Sequence, residues 1–452
     1  MRKLGEVVEP RRYIGMNLLG LEVEIGRVAA AVLDAATGAP RGPVSLVTYE
    51  LDHPTADAVE VPATRLWGAF AAAARQAVAQ SGVAARPGED IAGIGLCTFM
   101  PGLVLLGKDD QPLAPIWTYL DRRARPAARQ VSAHVGEEFA ATTGNRPLPG
   151  LISAISWRQH HSAKPYLSHD VHSYLHVNGW LGFHMTGVKA FDPTNASLTG
   201  LFNTVADPAW SQRWCDYFEV DRAWLPEVID ADATVGTLRA AIAAELGVPA
   251  GIPAKLGTGE IGAMMLAANL SAEDLLYIPG TTETFAVVTE RPTPGPRRLT
   301  YRLGVGSRFV QLAHNPIGDA ALEWIRTLCF QDQSDEEFMS KTIPAARRRA
   351  TRVSFDPPFL AGDPLEIEAH RAAFRDLELS SERMDLLAAF LREMERRRRE
   401  ALLNLGVSSP IRCLVLAGKA SMSLPEIQTD RIETMEDGTL RGIGRLFTQP
   451  KF

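Results

Sequence analysis

Two segments of this chain have the same plan, in which a strand, a small-residue turn and a second strand follow one another. The first is residues 13–38, with a turn predicted near Gly20, and the second is residues 274–292, with a turn at Gly280. Their residue identity is low, but the order of elements recurs. This recurrence predicts a duplicated α/β fold whose halves enclose a cleft, where ligand sites usually gather.

The segments between the two hairpins support an α/β class. Residues 64–82 have helical spacing, with Thr64 as an expected N-cap and Gly82 as a stop, and residues 91–98 are an apolar strand. Helical spacing is also expected over residues 153–161 and 172–187. A long amphipathic helix is expected over residues 380–406, followed by a late strand that runs into a glycine turn at Gly418.

Composition excludes several classes of protein. The 452 residues carry a net charge of −6, which provides no field for nucleic acid or an anionic membrane. Four cysteines are scattered without a C-x-x-C pair, and the N-terminus has no apolar signal region. These features predict a cytoplasmic protein without a membrane span.

The segment GTGEIG, residues 257–262, places a lone carboxylate between glycines. Glu260 has three readings at this point: an acid that favours a helix start, part of a dinucleotide fingerprint, or a catalytic base. The run before the segment holds two prolines, which argues against the fingerprint. The glycines would let a ligand or another backbone approach closely, which favours a binding or catalytic role.

Other chemical motifs are weak. Half of the ten histidines lie within residues 160–176, and His172 and His176 would share a helix face, but no H-E-x-x-H pattern is present. Ordinary histidines are therefore the preferred interpretation, and no metal ligands are predicted among the protein side chains. The chain has no P-loop motif and no G-x-S-x-G elbow.

The order of several segments resembles the FGGY family of carbohydrate kinases, in a xylulokinase-like form. These segments are GIGLCTFMPGLVLL, PLAPIWTYLDRRA, FDPTNASLTGLFNT, LPEVIDADATVGTL, IPAKLGTGEIGAM, YIPGTTET, HNPIGDAALEWI and LAGKASMSLPEIQTD. The resemblance implies two actin-like (ribonuclease H-like) domains with an interdomain cleft. The sugar-side domain would span residues 11–265. The nucleotide-side domain would span residues 270–452 and be shortened at its C-terminus, since the family usually continues through another strand and a small-residue helix.

The resemblance implies a nucleotide site that binds ATP with Mg²⁺. The family's first phosphate loop is matched to residues 16–21, where Asn17 replaces the usual Asp and Gly20 is retained. The second loop survives as a Gly-Thr-Thr turn, with glycine segments as its companions. The matching residues are Gly280, Thr281, Thr282, Gly318, Gly418 and Lys419.

The resemblance also implies a substrate site for a small-molecule sugar or polyol. Met100 falls in the segment where the family often has Gln-Met-His-Gly, and Tyr119, Asp121 and Arg123 match its Trp-Asn-Asp-x-Arg. Glu260 takes the place of the catalytic Asp. An acid there can accept the proton of the attacking hydroxyl, although the extra methylene shifts its oxygens by about 1 Å.

Three functions follow from these observations. The first is an ATP-dependent sugar or polyol kinase with Glu260 as general base. The second is a catalytically impaired relative that binds a ligand or nucleotide, because the first loop and the sugar segment depart from the family pattern. The third, resting on GTGEIG alone, is a nicotinamide-dependent oxidoreductase. The expected partners are a sugar or polyol and a second copy of the chain in a homodimer, with neither nucleic acid nor membrane.

Overall fold

The computed structural model describes residues 13, 15–82, 91–163, 167–357, 364–368, 371–407, 410–418, 424 and 427–448. The first half holds ten strands. They are β1 (Asn17–Glu24), β2 (Arg27–Asp34), β3 (Ser45–Thr48), β4 (Glu60–Val61), β5 (Ile91–Thr98), β6 (Gly102–Leu106), β7 (Ile116–Thr118), β8 (Ser173–His176), β9 (Gly236–Thr237) and β10 (Pro253–Lys255). Its helices are α1 (Ala63–Ser81), α2 (Arg125–Thr143), α3 (Ser153–Ala163), α4 (Leu167–Asp170), α5 (Val177–Thr186), α6 (Pro193–Ser197), α7 (Gln212–Phe218), α8 (Ala240–Leu246) and α9 (Glu260–Ala268).

The second half begins after α9. Its strands are β11 (Asp274–Ile278), β12 (Glu283–Thr289), β13 (Leu299–Arg302), β14 (Phe309–Asn315), β15 (Ser354–Asp356), β16 (Ala373–Arg375), β17 (Cys413–Ala417) and β18 (Ile432–Met435). Its helices are α10 (Asp319–Cys329), α11 (Asp335–Glu337), α12 (Ile343–Arg347), α13 (Arg383–Asn404) and α14 (Gly438–Thr448). Within the described ranges, none of the helices combines the length and the apolar character that crossing a bilayer requires.

The predicted duplication is confirmed by the two main sheets. The first has the strand order β3-β2-β1-β5-β10-β9 and the second β13-β14-β12-β11-β17-β18. In each sheet an antiparallel hairpin, β1–β2 or β11–β12, is extended by a parallel strand on its inner side. Smaller sheets, β4-β7-β6-β8 and β15-β16, lie in the first and second half respectively.

The first hairpin turns later than predicted. Strand β1 continues through Gly20 to Glu24, and the turn is Ile25–Gly26, where Gly26 has a φ of 80°. A Cβ on Gly20 would lie 2.5 Å from Leu33 Cδ1, so this glycine allows close packing inside the sheet and does not form a turn. The prediction of a turn near Gly20 was therefore wrong.

Two local helix predictions also need correction. Helix α1 begins at Ala63 after Pro62, one residue before the expected cap at Thr64, although it ends at Gly82 as predicted. Residues 173–176 form strand β8, which pairs with β6, so His172 and His176 do not share a helix face. The helix expected over 172–187 is confined to Val177–Thr186 because sheet pairing takes the preceding residues.

A further strand and helix follow Asp430, where the sequence comparison had expected neither. Strand β18 pairs with β17 in parallel, and α14 follows it with glycines at 438, 442 and 444. The shortening of the nucleotide-side domain stays a prediction.

Helix α14 returns from the second half and packs against the first. A Cβ on Gly442 would lie 2.0 Å from the carbonyl oxygen of Ala263 in α9. Ile443 and Phe447 lie over Gly95 and Gly93 of β5, and Lys255 Nζ donates to the Leu446 carbonyl oxygen at 2.8 Å. Helices α9 and α14 therefore connect the halves in opposite directions and contact each other where they cross.

We expect Gly442→Ala to lower the melting temperature, because the added methyl must push α14 away from the α9 backbone. Overpacking of this kind typically costs about 1–3 kcal/mol. The matched control is Gly68→Ala in α1, whose added methyl would meet nothing within 4 Å and should leave stability equal or slightly higher. Differential scanning calorimetry of the two variants checks this, and equal melting temperatures would disprove the close crossing.

Candidate active site

A cavity of about 480 Å³ lies between the two halves. Its described walls come from β5 and the segments after it, from α9, and from the strands of the second hairpin. The lining residues include Thr98, Phe99, Met100, Tyr119, Leu120, Leu151, Leu198, Glu260, Ile261, Met264, Ile278, Thr281, Thr282, Thr284, Leu299, Tyr301, Leu312, His314 and Pro364. Five residues predicted for the site, Met100, Tyr119, Glu260, Thr281 and Thr282, are thus brought to one cavity from distant parts of the sequence.

Glu260 is the first residue of α9, and the glycines around it serve protein packing. Gly257 has a φ of 69°, and a Cβ there would lie 1.7 Å from the Leu96 carbonyl oxygen. A Cβ on Gly259 would lie 1.9 Å from Met100 Cε, and Gly259 pairs with Thr98 in an isolated bridge. The space beside these two glycines is occupied by β5 and Met100, so it is not open for a pyrophosphate. This removes the main support for a dinucleotide site.

Glu260 belongs to a group of acidic side chains that the sequence analysis missed. Burial, followed by the charges of Glu22 and Glu24, raises its pKa to about 8, while Arg27 opposes the rise. Burial and Glu24 likewise raise the pKa of Glu22 to about 7, against a hydrogen bond from Thr439 of α14. Glu22 and Glu260 therefore lie in a low-dielectric site in which ionisation of both carboxyl groups is unfavourable without an added positive charge.

The signal for Glu22 and Glu24 lies in the sequence L-E-V-E-I-G. Two acids at alternate positions of an otherwise apolar strand point to the same face. They stand directly before the turn at Ile25–Gly26, and Glu24 pairs with Arg27 across that turn at 2.6 Å. Matching the family's first phosphate loop to residues 16–21 placed the turn too early and hid these acids.

Asn17 and Gly20 lie inside the first sheet. Asn17 is buried at the start of β1, and Gly20 packs on Leu33 and Ile443. Neither is in the hairpin turn, where the sequence comparison had expected a phosphate loop. Their assignment to the nucleotide site remains a prediction.

The nucleotide-side glycines come together around the second hairpin turn. A Cβ on Gly318 would lie 2.2 Å from the Gly280 carbonyl oxygen, and the Asp319 amide donates to that oxygen at 2.7 Å. Gly418, with a φ of 108°, stands beside Pro279. Lys419 lies outside the described residues. The structure thus groups Gly280, Gly318 and Gly418 at the carboxyl ends of β11, β14 and β17.

A buried ion pair holds the second hairpin in place. Arg398 of α13 contacts Glu283 of β12 at 2.5 Å, and both side chains are less than 5% exposed. Tyr277 Oη donates to Glu283 Oε1 at 2.7 Å, and Asn315 Nδ2 donates to Oε2 at 2.6 Å. Helix α13 and strands β11 and β14 are therefore all bonded to β12, the strand that follows the Thr281–Thr282 turn.

Asp121 and Arg123 form a pair next to the cavity. Arg123 donates to Asp121 Oδ2 at 2.6 Å and to Glu60 at the same distance. Asp121 is buried and also accepts from the Val59 amide. The pair fixes the segment after β7, which carries Tyr119 into the cavity.

Comparison with known proteins identifies the family. Residues 42–265 match the N-terminal domain of the FGGY family of carbohydrate kinases. The chain is 28% identical over 335 residues to L-xylulose/3-keto-L-gulonate kinase of Escherichia coli (strain K12), covering 72% of this chain and 64% of that protein. It is 26% identical over 201 residues to the Bacillus subtilis (strain 168) protein YoaC, covering 44% and 40%. The chain thus spans less than two thirds of the length of either relative.

The fold agrees with solved structures across both halves. A ligand-bound xylulose kinase from Lactobacillus acidophilus superposes with a TM-score of 0.84 at 18% identity, covering 96% of this chain and 88% of that one. The two halves are therefore actin-like domains, as the sequence predicted. Residues 42–265 thus correspond to the N-terminal domain of the FGGY family of carbohydrate kinases, and the fold of both halves agrees with that match.

We expect Arg398→Met to destabilise the protein by about 3–5 kcal/mol, because Glu283 would remain as an uncompensated buried charge. The double variant Glu283→Gln/Arg398→Met should regain much of this loss. The control is Arg396→Met in the same helix, which breaks a partly exposed pair with Glu393 and should cost less than about 1 kcal/mol. Urea unfolding measures all three, and a double variant no more stable than Arg398→Met would contradict the explanation.

Proposed function

We propose that this chain catalyses ATP-dependent phosphorylation of a hydroxyl group on a sugar or polyol, with Glu260 as general base. The observation that carries the proposal is the shared cavity, in which Glu260 of one half faces the Thr281–Thr282 turn of the other. Support comes from the family match and from the E. coli relative, whose name states a sugar kinase activity.

The chemistry needs few protein groups. The substrate oxygen forms a bond to the terminal phosphorus of ATP as the bridging P–O bond to ADP breaks, and the hydroxyl proton passes to Glu260. Such transfers depend mainly on positioning and on stabilisation of charge. A base with a pKa near the working pH is effective because it is available in the ionised form and still binds the proton.

The acidic side chains fit an Mg²⁺ ion that accompanies ATP. Mg²⁺ prefers oxygen ligands and commonly uses one or two carboxylates together with substrate phosphates and water. Glu22 and Glu24 offer such oxygens, and a cation beside them would offset the repulsion that they exert on Glu260. When bound, the cation would neutralise charge on the transferred phosphoryl group.

The remaining residues divide between two sides of the cavity. We assign Gly280, Thr281 and Thr282 to the phosphates and Gly318 and Gly418 to the turns beside them. Backbone N–H groups and hydroxyls in such turns bind phosphate oxygens. Lys419, Asn17 and Gly20 stay on the nucleotide side as predictions from the resemblance.

Met100 and Tyr119 line the substrate side directly. We assign Asp121 and Arg123 to the same side, where their ion pair fixes the segment that carries Tyr119.

The alternative function is a protein that binds ligand or nucleotide without turnover. It would show ATP binding and no phosphorylated product across a wide panel of sugars and polyols. We also propose that the protein acts in the cytoplasm, since Cys97, Cys215, Cys329 and Cys413 are all free thiols, which suits a reducing compartment. A homodimer remains a prediction that sedimentation velocity would test.

The pH dependence of kcat/KM should report Glu260. A general base works when deprotonated, so kcat/KM should fall as pH drops below about 8. Glu260→Gln should lower kcat by about 100-fold or more with little change in KM, while Glu260→Asp should keep the acidic limb. Steady-state kinetics from pH 6 to 9 measure this, with the exposed Glu273→Gln as control.

The same Glu260→Gln variant tests the helix-start reading by its stability. Because the folded-state pKa of Glu260 is raised, its favourable contribution is present below about pH 4.5 and is lost as pH rises through about 8. The variant should therefore melt higher than wild type at pH 8.5. A lower melting temperature together with unchanged turnover would show that Glu260 merely stabilises the helix start.

The phosphate turn gives a separate prediction. Thr281→Val combined with Gly280→Ala should weaken ATP binding by about 10- to 150-fold, the usual loss for one hydrogen bond to a charged group. Thr327→Val on the exposed face of α10 serves as control. Isothermal titration with ATP measures both, and unchanged affinity in the double variant would remove the turn from the site.

A further inference from the structure

The cavity wall around Glu260 is mostly apolar. Nine of its described lining residues carry hydrocarbon or phenyl side chains: Phe99, Leu120, Leu151, Leu198, Ile261, Ile278, Leu299, Leu312 and Pro364. Five of them, Phe99, Leu151, Leu198, Leu299 and Leu312, are less than 6% exposed, so they form the packed wall rather than its rim. A polyhydroxylated substrate placed against this wall would leave hydroxyl groups without hydrogen-bond partners, which is unfavourable.

Two hydroxyl groups in the same wall have no hydrogen-bond partner among the described residues. They are Thr98 Oγ1 and Tyr301 Oη, and both residues are at most 1% exposed. Thr98 bridges Gly259, the residue before Glu260, so Thr98 lies at the end of the cavity that holds Glu260. Buried hydroxyls are normally paired, so two unpaired ones in a ligand cavity indicate polar contacts that a ligand completes.

Four other polar side chains of the cavity, Thr281, Thr282, Thr284 and His314, are paired with each other or lie in the turn assigned to phosphate. Thr284 Oγ1 lies 2.8 Å from His314 Nδ1, and Thr281 and Thr282 belong to the turn assigned to phosphate. The substrate side therefore offers one polar end, made by Glu260, Thr98, Tyr119 and Tyr301, and one apolar end.

We propose, building on the kinase function above, that the acceptor is a deoxy sugar or an alkyl-bearing alcohol rather than a fully hydroxylated sugar. Its reactive hydroxyl lies at Glu260, a neighbouring polar group contacts Thr98 and Tyr301, and a methyl or alkyl group lies against Leu120, Leu151 and Leu198. The cavity volume of about 480 Å³ is adequate for a small molecule of this kind.

The test compares matched pairs that differ in one hydroxyl: 1-deoxy-D-xylulose with D-xylulose, and L-rhamnose with L-mannose. For at least one pair, kcat/KM with Mg-ATP should favour the deoxy member by about 10- to 100-fold, the range that an apolar pocket gives against an added hydroxyl. Equal values or a preference for the parent sugar in both pairs would overturn the inference while leaving the kinase function intact.

Binding is measured in parallel by isothermal titration, so that the inference stays testable without turnover. If no pair yields product, the proposed kinase function is in doubt, and tighter binding of the deoxy member still supports the apolar pocket. The inference would be overturned if none of the four compounds bound at about 10 mM, which is 10-fold above a typical millimolar Kd.

Two variants locate the effect. Leu120→Asn, at a half-buried position, should reduce the preference for the deoxy member at least about 5-fold, whereas Leu403→Asn on the exposed face of α13 should not change it. Tyr301→Phe should weaken binding of the preferred compound about 5- to 10-fold without lowering the melting temperature, because its hydroxyl has no protein partner to lose. Unchanged preference in Leu120→Asn and unchanged affinity in Tyr301→Phe would together place the substrate elsewhere.

Discussion

The contact between α9 and α14 at Gly442 and Ala263 is the constraint on which the arrangement of the site depends. Helix α9 carries the chain from the first sheet to the second, and α14 carries it back. Their backbones approach so closely that a side chain on Gly442 would overlap the Ala263 carbonyl. Because Glu260 begins α9 and Thr439 of α14 hydrogen-bonds Glu22, this crossing fixes Glu260 relative to the acids of β1.

The buried acids Glu22 and Glu260 lower the stability of the folded protein when they are charged. Glu22 and Glu260 would each be more favourable as amides in their buried positions, since burial and mutual repulsion raise both pKa values. Arg27 supplies partial compensation from across the hairpin turn. Negative charge that is only partly compensated in a cavity favours a positively charged partner, and packing elsewhere in the fold offsets the remaining electrostatic cost.

Sequence reasoning succeeded where local chemistry determines the structure. The turn at Gly280, the helix stop at Gly82 and the long helix of α13 follow from small residues and periodicity, and all are present. It failed at Gly20 because a glycine inside a strand has the same sequence signal as a turn. The sequence does not show that Leu33 and Ile443 pack against this glycine. It failed at residues 173–176 because pairing with β6 is a long-range contact that helical spacing cannot reveal. The apolar cavity wall could not be predicted from the sequence either, because its leucines come from four separate regions of the chain.

The position of Glu260 at the junction between the halves has a mechanical consequence. If the two halves rotated about the crossing of α9 and α14, Glu260 at the start of α9 would be displaced little. The Thr281–Thr282 turn lies on the hairpin of the second half that is braced by Arg398 and Glu283. Such a rotation would bring this turn toward a nearly stationary Glu260, and the stiffness of one buried ion pair would determine how faithfully the turn follows its domain.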